Sequence, residues 1–429
     1  MGILKKLFFL LFILALAGGG FYLWKIKPKV APVTYKTVEE SDKYVRFEME
    51  VYDKISSTYW MKSTETDLST LFKLSLEKVT NTPVTVASTT RQGTATMIAK
   101  AFSLATSTEM RKQLAVNTAM VALYNIAPAG RNQLLSQKQE TAFRNEVANI
   151  NPAKDLYSDL GVTKDASPKE VETAYKKQVA TLQNATSSED KAKLEKVKYS
   201  HSVLVNPDSK AIYDTTKAEP TVSKNIIGST LYIDMRKISP TTLIEFAKTV
   251  DNASTTKGLS SMIIDFRGNV GGSLDFLTNF FGLFVGKDQY VFDFFQQGNY
   301  LPQRTVQPKY PELDRYKEVA ILVDNMTQST AELTTATFKR FHMAHVVGKT
   351  TRGWGTIENT YPIETEIDPT EKYVLLLVNS ITIREDGQPI EGRGVEPDVD
   401  IGKPSWKSDL PKFFKSDSLV SAIKQVVGK

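Results

Sequence analysis

The chain reads as an α/β core, a central mixed sheet with flanking helices, preceded by all-α regions and an amino-terminal transmembrane helix. Three observations predict this. From about residue 222, short apolar runs rich in β-branched residues alternate with segments of helical period. Before that point, apolar residues fall at spacings of three and four, separated by Ser/Thr-rich turns. The first residues hold an apolar run long enough to span a bilayer. With 429 residues there is room for two or three domains.

The elements follow in order, beginning with residues 1–34. Lys5 and Lys6 precede an apolar run from Leu7 to Trp24, closed by Lys25, Lys27 and Lys29. Its 18 apolar or small residues just suffice to cross the hydrocarbon core as a helix. Ala15, Leu16 and Ala17 offer the small-residue spacing of a signal-peptide cleavage site, but Phe21 to Trp24 continue the run beyond it. That favours an uncleaved anchor. Lysines on both flanks leave the orientation open on charge alone.

Residues 35–150 read as helical after a short linker. Val45, Met49, Tyr52, Ile55 and Tyr59 share one helical face, as do Leu68, Leu71, Phe72, Leu76 and Val79. Residues 151–217 carry a denser pattern. Leu156-Tyr157-Ser158-Asp159-Leu160-Gly161-Val162 leads to Ala166-Ser167, with Pro168 at a helix start, and then to Ala174-Tyr175-Lys176-Lys177. Val203-Leu204-Val205-Asn206-Pro207-Asp208 and Ala211-Ile212-Tyr213-Asp214 complete it. This segment resembles a J-domain, the helical module that stimulates Hsp70-type chaperones. The family's working tripeptide, His-Pro-Asp, falls where this chain has Gln183-Asn184-Ala185. The resemblance therefore implies a helical bundle for spacing or protein contact, and no Hsp70 stimulation.

Residues 218–405 hold the α/β core. Strands are expected over 226–235, 261–266, 319–323, 345–347, 373–378 and 380–383, with helices over 240–250, 274–284 and 331–341. Residues 406–429 form a helical tail.

Four stretches of this core carry the functional signal. An apolar strand, 262–266, breaks into Arg267-Gly268-Asn269-Val270-Gly271-Gly272. A second strand runs into Asp324-Asn325-Met326-Thr327-Gln328-Ser329-Thr330-Ala331-Glu332 and a helix. The third stretch is Val346-Val347-Gly348-Lys349-Thr350-Thr351-Arg352-Gly353-Trp354-Gly355-Thr356-Ile357-Glu358. The fourth runs from Asp386-Gly387-Gln388-Pro389-Ile390 through Gly392-Arg393-Gly394-Val395-Glu396-Pro397-Asp398. In this order they resemble the carboxy-terminal processing (tail-specific) serine proteases. The resemblance covers residues 222–402 and lacks the PDZ module that usually precedes this core; the J-like segment occupies that slot.

In that family the position of Ser329 is the nucleophile, Trp354 stands where the catalytic lysine belongs, and Glu358 stands where a glutamine is usual. A serine hydroxyl needs a neighbour to take its proton. Tryptophan cannot, because its indole N–H donates and offers no acceptor. Glu358 could accept a proton if an apolar wall raised its pKa. Lys349 is off register, and His342 and His345 follow the nucleophile helix. The backbone N–H of Thr330, with Gly271 or Gly272, would form an oxyanion hole. The bland alternative for Ser329 is a helix cap. Arg393 and Asp398 are expected to make structural ion pairs.

The resemblance thus implies an extracytoplasmic, membrane-anchored relative of these peptidases that binds extended polypeptide. It hydrolyses peptide bonds through Ser329 if a base is present, and is a pseudoprotease if not. The alternative is an envelope scaffold or chaperone-linked adaptor acting through the J-like segment. Composition narrows the rest. The net charge of +6, from 54 basic and 48 acidic residues, is scattered and gives no nucleic-acid footprint. No cysteine is present and only three histidines, so no disulfide, thiolate chemistry, metal or cofactor is expected.

Overall fold

A computed structural model describes residues 36–184 and 186–428. The apolar run 7–24 lies outside them. Among the described residues, no helix is long and apolar enough to cross a membrane.

The chain divides into two units. The first takes described residues up to Tyr52, then Glu65–Val121 and Ile363–Thr370. It is built from the greater parts of α1 (Lys43–Thr58) and α4 (Thr108–Asn125), with α2 (Glu65–Thr80) and α3 (Arg91–Phe102). The predicted faces are its core: Val45, Met49, Phe72 and Leu76 are fully buried. Thr90 caps α3 by accepting from the Gly93 N–H at 3.1 Å. Glu48 is an exception to the apolar interior. It lies on α1 with no exposed surface, and neither carboxyl oxygen has a hydrogen-bond partner among the described residues. Burial pushes its pKa well above the usual carboxylate range.

The second unit takes Asp53–Thr64, Ala122–Pro362 and Glu371 onward. Its helices α5 (Gln137–Val147), α6 (Leu156–Leu160), α7 (Pro168–Leu182), α8 (Ser188–Leu204) and α9 (Pro207–Thr216) precede the main sheet. The last four bury Leu156, Tyr157, Leu160, Val171, Val197 and Tyr213 in one cluster. Pro168 does open α7, behind a Ser167/Glu170 capping box. Gly161 closes α6 in the left-handed region at φ 68°, a conformation a side chain would resist.

The strands fall into two sheets rather than one central sheet. Six strands, β2 (Val222–Ile227), β3 (Thr230–Met235), β4 (Ser261–Asp265), β7 (Glu318–Val323), β8 (His345–Gly348) and β11 (Val399–Asp400), run in the order β11-β8-β7-β4-β3-β2. All neighbours are parallel except the β2/β3 hairpin. A second, antiparallel sheet joins β1 (Gln133–Ser136), β10 (Tyr373–Thr382), β5 (Tyr290–Gln296) and β6 (Asn299–Arg304), with β9 (Thr356–Pro362) on β10. The strand expected over 226–235 is thus a hairpin, turned at Gly228 with φ 59°. The two strands expected over 373–383 are one strand with a register shift between Val378 and Ser380. Five strands escaped sequence reading: β1 and the part-exposed β5, β6 and β9 lack a clean apolar alternation, and β11 is only two residues long.

Helices α10 (Thr242–Ala253), α11 (Asp275–Val285) and α12 (Thr330–Arg340) match the expected spans to within three residues. Phe338 of α12 packs on Phe281 and Phe284 of α11, with ring centroids 5.1 and 5.3 Å apart. Such pairs add about 0.5–1.5 kcal/mol each beyond their burial. That packing fixes the helix that begins just after Ser329. The carboxy-terminal helices α13 (Trp406–Phe413) and α14 (Asp417–Val427) place Leu410, Phe414, Leu419 and Ile423 on Ile263, Ala320 and Leu322 of the main sheet.

Candidate active site

Strand β7 ends at Val323, and a tight turn leads into α12. Asp324 holds the turn, its Oδ1 accepting from the N–H groups of Gly268 (3.0 Å), Met326 (2.9 Å) and Thr327 (3.0 Å). The chain then passes through Ser329 at φ 57° and ψ −127°. A non-glycine residue in that region carries strain of about 1–3 kcal/mol. It aims a half-buried serine from the carboxyl end of the parallel sheet, at the start of a helix.

The glycine turn after β4 lies directly against it. A Cβ on Gly271 would come within 2.7 Å of the Ser329 Cβ and 3.0 Å of the Thr330 nitrogen, and its φ is 81°. Only glycine fits this approach. The Gly271 N–H donates to Asn269 Oδ1 at 2.7 Å. The N–H groups of Gly272 and Thr330 have no hydrogen-bond partner among the described residues, while the Thr330 hydroxyl donates to the Gly272 carbonyl at 2.9 Å. The turn and helix start are thereby tied together. Val270 and Met326 stand exposed beside them.

The third stretch is brought to Ser329 by a residue the sequence reading left without a role. Glu332, in the first turn of α12, has no exposed surface and accepts four hydrogen bonds. Oε2 takes the N–H of Ser329 and the N–H of Trp354, each at 2.8 Å. Oε1 takes the Thr351 hydroxyl at 2.5 Å and the Gly353 N–H at 2.7 Å. Burial raises the pKa of this carboxyl, and the four donors oppose that shift. One carboxyl oxygen therefore bridges the backbones of Ser329 and Trp354. The fourth stretch backs the same loop, with Thr351 Oγ1 accepting from the Val395 N–H at 2.7 Å and the Gly353 carbonyl accepting from Gly392 at 2.9 Å.

Trp354 itself is half-buried and fully engaged. Its indole N–H donates to Glu358 Oε1 at 3.3 Å, and the same oxygen takes the Thr356 hydroxyl at 2.5 Å. The Arg131 guanidinium lies over the ring, 3.4 Å from its centroid. Arg131 is held there by Glu391 Oε1 at 2.9 Å, whose other oxygen accepts from the Gly355 N–H at 2.8 Å. Burial raises the Glu391 pKa, and Glu358 adds to the shift. Arg131 was invisible to sequence reading, being more than two hundred residues away along the chain.

Among the described residues, no lysine, histidine or carboxylate side chain hydrogen-bonds the Ser329 hydroxyl. His345 begins β8, at the far end from the 351–354 loop, and faces Asp398 and the rings of Phe413 and Phe414. His342 and Lys349 are exposed. His201 stacks on Tyr175 within the α7–α8 pair. Asp398 pairs with Lys339 at 3.4 Å, whereas Arg393 makes no ion pair among the described residues. No group of three or more potential metal ligands occurs among the described residues.

Two segments of the chain are similar to known protein families. Residues 229–401 match Peptidase family S41, and residues 155–214 match the DnaJ domain. Staphylococcal proteins named "Probable CtpA-like serine protease" are similar over part of the chain. The one from Staphylococcus epidermidis is 26% identical over 152 residues, 35% of this chain and 30% of its own length. The one from Staphylococcus aureus strain N315 is 28% identical over 153 residues, 35% of this chain and 29% of its own. The chain thus spans about a third of the length of these relatives. Among solved structures, the photosystem II D1 C-terminal processing protease aligns at 11% identity, TM-score 0.49, over 86% of this chain and 94% of that one.

Proposed function

Because residues 229–401 belong to peptidase family S41 and residues 155–214 form a DnaJ domain, we propose that this chain binds extended polypeptide at the Ser329 site and is impaired in cleaving it. The run 7–24 anchors it, with the body extracytoplasmic. One observation carries the reading. The loop that Glu332 fastens to Ser329 presents Trp354, with its N–H on Glu358 and its face under Arg131, where the resemblance calls for lysine. Neither indole nor guanidinium can take the serine proton.

Much of the frame for acyl chemistry is retained. The strained serine, the helix start and the unpartnered N–H groups of Thr330 and Gly272 supply a nucleophile position and oxyanion donors. Gly271 contributes closeness rather than a donor, since its amide is engaged by Asn269. Glu358 is the one candidate for a substitute base, and its near oxygen already receives two donors. Exposed Val270 and Met326 offer apolar contacts to a bound chain. The DnaJ domain lacks the His-Pro-Asp tripeptide and serves as a packing module, without stimulating Hsp70-type chaperones.

The test is labelling by a fluorophosphonate probe, together with cleavage of an unfolded protein. The expected result is binding of unfolded polypeptide with neither labelling nor cleavage. Labelling and cleavage that both vanish in Ser329→Ala would overturn the reading and assign the base role to Glu358.

A further inference from the structure

The first unit contains a feature independent of the Ser329 site. Between α2, α3 and α4 runs a groove of about 490 Å³, with Val79, Met97, Ala101, Leu104, Met110 and Leu114 as its apolar lining. Leu104 and Met110 are 75% and 51% exposed, unusual for large apolar side chains placed side by side. One rim of the groove is the segment 82–85, part of a longer stretch between α2 and α3 that forms neither helix nor paired strand.

Five of its residues carry the side-chain pattern of a strand. Along Pro83, Val84, Thr85, Val86 and Ala87 the side chains alternate exposed and half-buried, the period of two that a strand imposes. Its sequence, β-branched at three consecutive positions, has high strand propensity. Yet the main chain of Thr85, Val86 and Ala87 makes no hydrogen bond to any described residue; only the Val84 N–H is held, by Glu77 Oε1 at 2.9 Å. An unpaired backbone with a strand-like side-chain pattern beside an apolar groove is a template for strand addition.

Charge narrows the occupant. The lining includes the ammonium of Lys100 and no carboxylate. Lys100 is exposed, and its ammonium has no ion-pair or hydrogen-bond partner among the described residues. We propose that this groove binds an extended apolar polypeptide segment carrying a carboxylate. Its backbone pairs with residues 85–87, alternate side chains enter between Met97, Leu104 and Met110, and the carboxylate meets Lys100.

The probe is a fluorescein-labelled octapeptide of alternating valine and serine closing on aspartate, titrated against the full chain by fluorescence anisotropy. Its asparagine-amide counterpart isolates the charge. Two forms N-methylated at alternate backbone nitrogens, one for each register, isolate strand pairing. Leu104→Glu and Lys100→Glu change exposed side chains and leave the fold intact, which circular dichroism checks. Saturable binding is expected. It should weaken about ten-fold or more in Leu104→Glu and in Lys100→Glu, weaken comparably for the asparagine-amide peptide, and vanish for one N-methylated register. Leu104 and Lys100 belong to the first unit and Ser329 to the second, so loss of binding in these two variants separates this groove from the Ser329 site. No saturation at millimolar peptide, or binding indifferent to both groove variants, or binding undiminished by N-methylation in either register, would overturn the proposal.

Discussion

Glu332→Gln tests whether this buried carboxyl is what fastens the Trp354 loop to the nucleophile position. The side chains are nearly the same size, so packing stays and only the acceptor pattern changes. A glutamine amide must turn its NH2 toward one pair of donors. Facing Ser329 and Trp354, it would meet two peptide N–H groups that cannot rotate. Facing Thr351 and Gly353, it would meet one hydroxyl that can turn and one N–H that cannot. The second orientation is cheaper and leaves one buried N–H unpaired, a cost of about 1–3 kcal/mol. The bonds to Ser329 and Trp354 also lose charge assistance, about 0.5–1 kcal/mol each. Relief from burying a carboxylate returns part of this. The expected loss is about 2 kcal/mol, read from urea denaturation followed by tryptophan fluorescence. A loss below about 0.5 kcal/mol would show that the loop is held by its contacts with residues 391–395 instead.

Four further outcomes follow from the same geometry. Ser329→Gly should raise stability by about 1 kcal/mol, because release of strain at φ 57° exceeds the entropy cost of glycine; the melting temperature reports it. Gly271→Ala should lower the melting temperature by several degrees, since the new Cβ would sit 2.7 Å from the Ser329 Cβ. Trp354→Lys combined with Arg131→Ala should gain fluorophosphonate labelling that the wild type lacks, and Ser329→Ala should remove it again. Glu48→Gln should stabilise the protein at pH 8 and have little effect at pH 4. The raised pKa of Glu48 favours the folded state below the ordinary carboxyl pKa, and this contribution is lost as pH rises through the folded-state value; denaturation across that range measures it.

The α/β core was legible in the sequence because buried parallel strands are nearly continuous apolar runs, as in Met262 to Ile264 and Val319 to Val323. The antiparallel sheet was largely illegible. Its strand β9 has only two buried positions at one end, and β6 carries Pro302 and five exposed residues, so neither shows the alternation that marks a strand. The β2/β3 hairpin was read as one strand because Gly228 interrupts an otherwise apolar run by a single turn. At the site, the four stretches named Ser329, Thr330, the glycine pair, Trp354 and Glu358, and the fold gathers these stretches around one turn. What holds them together was not readable. Glu332 looked like an ordinary acidic residue in a helix first turn, a position favoured by the helix dipole alone.

That ambiguity bears on the proposal that Trp354 stands where the resemblance calls for lysine. Glu332 grips the loop through the N–H groups of Gly353 and Trp354, which are the same whatever side chain residue 354 carries. The loop would therefore keep its place whether residue 354 carried an ammonium or an indole. What must adjust is the charge balance beyond it, where two carboxylates, Glu358 and Glu391, would face an uncharged ring. Arg131 supplies a cation from another part of the chain, stacked on the indole and paired with Glu391. That positive charge sits on a group that does not give up its proton. On this account Arg131→Ala alone should destabilise the protein more at pH 8 than at pH 4, as Glu391 loses its partner and its raised pKa rises further. Equal destabilisation at both pH values would mean that Arg131 acts by packing on Trp354 and that its charge is incidental.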